Sequence, residues 1–88
     1  MSIKKMKVNG YRIRIVYKDR GTEKYLKKVY LKKVDDSLLL QNVELVENPE
    51  DKILVIEDLA TATIVRRQLE DIVMNGDSVE LEPVYDFD

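Results

Sequence analysis

Eighty-eight residues suffice for one small domain around one hydrophobic core and leave no material for a second. Hydrophobic residues make up 44% and charged residues 36%, enough apolar side chain for a core and too much for a disordered chain. The net charge is only −2, and with no cysteine and no histidine the chain lacks disulfides, thiolate metal sites, Cys or His nucleophiles and imidazole bases.

In chain order, the start Met1-Ser2-Ile3-Lys4-Lys5-Met6-Lys7 has no apolar signal-peptide core behind its basic residues, and no later apolar run approaches the roughly 20 residues that span a bilayer. A soluble cytosolic protein with no membrane partner is expected. From Tyr11 to Lys18 the residues alternate, Tyr11, Ile13, Ile15 and Tyr17 against Arg12, Arg14, Val16 and Lys18, which predicts a half-buried strand with the two tyrosines in the core. Asp19-Arg20-Gly21-Thr22 predicts a hairpin turn. The next strand, Glu23 to Val34, is less regular: Tyr25, Val29 and Leu31 fall on one face and Leu26 and Tyr30 on the other, with a bulge or two-sided burial expected near Leu26. Asp35-Asp36-Ser37 is a second turn, followed by a third strand to Glu47 in which Val43 and Leu45 alternate with Glu44 and Glu47.

The loop Glu47-Asn48-Pro49-Glu50-Asp51 interrupts the sheet, because proline has no N–H for a central strand. Ile53-Leu54-Val55-Ile56 reads as a short buried strand. Asp58 is placed to cap a helix running to Asn75-Gly76, with Ala62, Val65, Leu69, Ile72 and Val73 as its apolar stripe. Arg66 and Arg67 stand three and four residues from Glu70 and Asp71, the spacing of local ion pairs. The last stretch alternates Val79, Leu81, Tyr85 and Phe87 with Glu80, Glu82, Val84, Asp86 and Asp88, and Pro83 confines it to a sheet edge or breaks it. The expected fold is therefore a single α+β domain, residues 1–88, with a mostly antiparallel sheet of four or five strands packed against one helix.

Charge is segregated along this order. The first 34 residues hold twelve basic and two acidic residues, a net of +10, and the remainder three basic and fifteen acidic, a net of −12. Two outcomes follow: the fold pairs a basic strand with an acidic one, or it keeps a positive and a negative face that each steer a charged partner. In the second case the carboxylates Glu44, Glu47, Glu80, Glu82, Asp86 and Asp88 form an acidic surface able to imitate a phosphodiester backbone, since same-face residues on a strand recur about every 6.6–6.8 Å. The opposing reading is nucleic-acid contact by the basic hairpin through Arg12, Arg14, Lys18, Lys24, Lys27 and Lys28. A third is self-association, the basic face of one copy against the acidic face of another. Two pairs of adjacent acids, Asp35-Asp36 and Asp86/Asp88, have the chemistry to hold a hydrated Mg²⁺, but such pairs are common in turns and termini, and without a glycine-rich phosphate loop or a serine beside a base no enzyme is expected, nor any cofactor.

With its Lys-rich, Tyr-bearing hairpin, its acidic helix with Ala62 and Leu69 and its acidic tail Val79-Glu80-Leu81-Glu82, the chain resembles in type the small accessory proteins of bacteriophages and prophages of Gram-positive bacteria, anti-CRISPR proteins among them. That resemblance carries no residue-level motif. It implies a non-catalytic inhibitor in the bacterial cytosol that binds a nucleic-acid-processing protein such as a Cas nuclease and competes with nucleic acid. The +10 segment argues against a mimic over the whole surface, so one acidic face is expected to meet the enzyme while the basic hairpin contacts guide RNA or stabilises the fold.

Overall fold

The computed structural model describes residues 6–48, 52–73 and 76–87, with side chains from Lys7 to Tyr85 within those spans. Strands β1 (Met6–Tyr17), β2 (Thr22–Val34) and β3 (Ser37–Val46) precede helix α1 (Leu59–Ile72), and strand β4 (Ser78–Phe87) follows it. They build the α+β domain expected from the sequence: one four-stranded antiparallel sheet in the order β3-β2-β1-β4, with α1 on one face. Pro49, Glu50, Asp51, Asn75 and Asp88 lie outside the described residues.

Both hairpins follow from their turn residues. Gly21 takes φ +62° in the β1–β2 turn, a conformation that costs glycine nothing, while Asp35 takes φ 55° in the two-residue β2–β3 turn, where a short polar side chain is tolerated. The bulge expected near Leu26 is present, the β2–β3 register shifting between Leu26 and Lys28. Its consequence corrects the face assignment. Leu26, Val29 and Leu31 join the helix-side core, and Tyr25 and Tyr30 point to the opposite face, because the extra residue at Lys27 inverts the alternation.

Beneath α1 the core consists of Ile13, Ile15, Leu26, Val65, Leu69 and Val79, with Tyr17 packed against it. Ala62, Val65 and Leu69 are buried as the helical spacing requires, but Ile72 is 68% exposed, since α1 ends there and the sheet no longer lies under that side. The N-cap is as read from sequence: the Thr61 N–H and hydroxyl both donate to Asp58 Oδ2, at 3.1 and 2.8 Å, and the Thr61 side-chain bond is the main reason the Asp58 carboxyl sits below the usual carboxylate range. The C-terminus differs, because Val73 is already extended (φ −79°, ψ 155°) and Gly76, at φ +95°, belongs to the turn into β4.

The sheet forks. β1 and β2 pair only from Arg14–Tyr25 to Tyr17–Thr22, and beyond that point the β1–β4 and β2–β3 ladders diverge. Residues 52–56 fill the gap. Tyr11 and Ile56 exchange two backbone hydrogen bonds of 2.8 Å, and the Leu54 N–H donates to the Leu26 carbonyl at 3.0 Å. The apolar run at 53–56 is thus a wedge with one bridging residue, and Val55 is exposed, where a buried strand is expected from the sequence. The diverging ladders give a radius of gyration of 14.5 Å against roughly 12 Å for a compact domain of this length.

Both sheet edges are managed. Tyr11 spends its N–H and carbonyl on Ile56, so Pro83 opposite it occupies a non-hydrogen-bonded position of β4, and its missing N–H falls on the free edge. At the β3 edge the Leu40 N–H donates to Gln68 Oε1 and Gln68 Nε2 donates to the Leu38 carbonyl, both at 2.7 Å, so one side-chain amide pairs with the strand as a peptide group would. Gln68→Ala is expected to lose both bonds, about 1–2 kcal/mol in urea unfolding, with faster hydrogen exchange at the Leu40 amide. Unchanged exchange there would show that the amide pair does not hold the edge.

Candidate interaction surface

The sheet face away from α1 has no covering element among the described residues. Strand register decides what stands on it, because directly opposed residues share a face. β4 contributes Glu80 and Glu82, β1 contributes Arg12 and Arg14, β2 contributes Glu23, Tyr25, Lys28, Tyr30 and Lys32, and β3 contributes Leu39, Asn42 and Glu44. Away from the β1–β4 tip this amounts to four cations and four carboxylates, a net charge of zero.

The basic first strand and the acidic last strand are therefore neighbours. Arg12 lies opposite Glu82 and Arg14 opposite Glu80. Arg12 meets Glu82 at 3.5 Å, and Arg14 meets Glu82 at 3.4 Å, Glu23 at 3.4 Å and Glu80 through both Nε (3.1 Å) and a terminal nitrogen. The Glu80 hydrogen bond is the chief cause that pushes the Arg14 pKa above its already high value, against a smaller opposing effect of burial. Beneath these charges Tyr25 is only 5% exposed, with the Arg12 guanidinium carbon 5.3 Å from its ring centroid and its hydroxyl 3.4 Å from Glu23. The side chains of Arg12 and Glu82 remain 35% and 26% exposed, so each ion pair is worth no more than about 1 kcal/mol; the cluster chiefly fixes register and covers an aromatic ring.

The other carboxylates named from sequence are dispersed. Glu44 stands on β3 at the opposite edge of the sheet, on the arm that diverges from β1 and β4, and faces Lys28. Glu47 is exposed in the bend after β3, Asp86 continues the β4 ladder opposite Lys7, and Asp88 lies outside the described residues. The basic residues divide likewise. Lys28 extends over the Tyr30 ring at 5.0 Å, and its pKa is raised chiefly by a hydrogen bond with Tyr30. Lys24 lies on the helix side, 5.8 Å from the centroid of the Tyr17 ring; Lys18 is exposed in the turn, its N–H donating to Asp77; and Lys27 is the exposed bulge residue.

Sequence reasoning missed Glu23 as a member of this face; its signal was its two-residue spacing from Tyr25. Exposed Tyr30, Val34 and Leu39 extend the face along the β2–β3 arm as an apolar strip flanked by Lys28 and Lys32. Asp35 and Asp36 sit in the hairpin turn, and among the described residues no three His, Cys, Asp or Glu side chains converge as metal ligands. Nor is any helix among them long and apolar enough to cross a membrane. No protein family, curated protein or solved structure matches the chain.

Proposed function

We propose that this chain is a non-catalytic protein-docking module that binds a nucleic-acid-processing enzyme through the open sheet face and inhibits it by occupying its nucleic-acid site, a Cas nuclease being one such target. The observation that carries the reading is the composition of that face: exposed Tyr30 and Leu39 beside a central arginine–tyrosine cluster, with charges of both signs in equal number. Tyrosine and arginine are the residues that dominate protein interfaces. A face of zero net charge releases few counterions from nucleic acid, which weakens the reading as a phosphate-binding module. The acidic strand retains a role, since Glu80 and Glu82 are partly exposed and can exchange their intramolecular arginines for those of an enzyme.

Affinity capture from bacterial lysate tests this, using the wild-type chain and a Tyr30→Ala/Leu39→Asp variant, each with and without nuclease treatment. Both positions are exposed, so the variant is expected to fold. A nucleic-acid-processing protein retained after nuclease treatment, and lost at least about tenfold with the variant, is the expected result. Recovery that vanishes with nuclease would overturn the proposal in favour of direct nucleic-acid contact.

A further inference from the structure

On the helix side of the sheet a cavity of about 390 Å³ opens between the end of α1, the ends of β1 and β3, and the β1–β2 turn. Its size falls within the roughly 300–1,000 Å³ of ligand sites. Buried Ile15 and Leu69 form its floor and half-buried Tyr17 and Leu45 its walls, while Ile72 stands exposed at the lip. Asp19, Arg20 and Asp77 line its polar end, and the Lys24 ammonium lies 5.8 Å from the centroid of the Tyr17 ring.

The lining thus offers two carboxylates, Asp19 and Asp77, and one cation, Arg20, beside an apolar floor. An anionic ligand meets the two aspartates and a cationic one meets Arg20, whereas a zwitterion can set its carboxylate against Arg20 and its ammonium against an aspartate. We propose that this cavity binds a free apolar α-amino acid, its side chain on Ile15 and Leu69, its carboxylate toward Arg20 and its ammonium toward Asp77. Two features orient the ammonium. Asp77 is fixed by the Lys18 N–H, which donates to Oδ1 at 3.0 Å, and α1 brings the negative end of its dipole to this side with no basic residue in its last turn. This site is separate from the open face, on the other side of the sheet, and does not depend on the docking proposal.

The test is titration of the isotopically labelled protein, followed through its backbone amide resonances, with L-leucine, 4-methylpentanoate, 3-methylbutylamine and N-acetyl-leucinamide. Leucine is expected to give saturating shifts at Ile15, Tyr17, Leu45 and Leu69, each analogue binding at least about tenfold more weakly. Arg20→Ala, at an exposed turn position, is expected to weaken leucine about tenfold and to leave the amine unchanged. No saturating shift by about 20 mM leucine would overturn the proposal, as would equal binding of the amine or of the carboxylate. Equal or tighter binding of N-acetyl-leucinamide would also overturn it and assign the cavity to a peptide segment, and concentration-dependent dimerisation that covers these residues would assign it to a second copy.

Discussion

Leu26→Ala is expected to cost about 2–5 kcal/mol, the largest loss from any single truncation in this fold. Leu26 is fully buried, and its surroundings explain why the site would collapse poorly once emptied. It sits where β2 leaves β1, at the bulge, between the helix-side core and the wedge, and its own carbonyl receives the Leu54 N–H. Removing the side chain leaves a cavity at the junction of both ladders, where the backbone is already held in place by long-range pairing. A domain of this kind has a total stability of roughly 5–15 kcal/mol, so a substantial part of it is at stake. Urea unfolding of Leu26→Ala against Leu31→Ala, a half-buried position farther along the same strand, measures the difference. Equal losses would show that the fork is no more tightly packed than the arm.

The second large effect is expected at Gly10. Its φ is not left-handed, so the requirement for glycine is one of space. A Cβ at this position would stand 2.6 Å from Val55 Cγ1 and 2.9 Å from the Ile56 carbonyl oxygen, closer than real contacts allow. Val55 can turn aside, whereas the Ile56 carbonyl is bound to the Tyr11 N–H and cannot move without releasing it. Gly10→Ala is therefore expected to destabilise the domain by about 1–3 kcal/mol, as overpacking does, and to speed hydrogen exchange at Tyr11 and Ile56 more than at Ile15. Adding Val55→Ala removes only the softer of the two contacts, so partial recovery is the expected outcome. Full recovery would place the whole conflict on the side chain and none on the wedge backbone.

These two positions differ in how far the sequence announces them. Leu26 stands out in the linear pattern because Tyr25 and Leu26 are adjacent apolar residues at the start of an irregular stretch, where a bulge or burial on both faces is expected. Gly10 does not stand out. Its role depends on residues 55 and 56, some 45 positions away, and on a fork whose existence no local propensity encodes. Gln68 is similar: on a helical wheel it is an ordinary polar residue, and only the lie of α1 against the β3 edge makes its amide a strand partner.

Local chemistry by itself determined the α+β class, both hairpin turns, the helix start at Asp58 and the buried Ala62-Val65-Leu69 stripe, because each depends on residues within a few positions of one another, whereas Pro83 left an edge strand or a break open until the strand order placed β4 at the edge. The tertiary structure alone decided what the segregated charges do. By setting β4 beside β1 it places Glu80 and Glu82 against Arg14 and Arg12, and by setting β3 at the far edge it separates Glu44 from them. Strand order and register arise from the joint burial of Ile13, Ile15, Leu26 and Val79 under one helix, a global packing condition that charge order along the chain neither contains nor predicts.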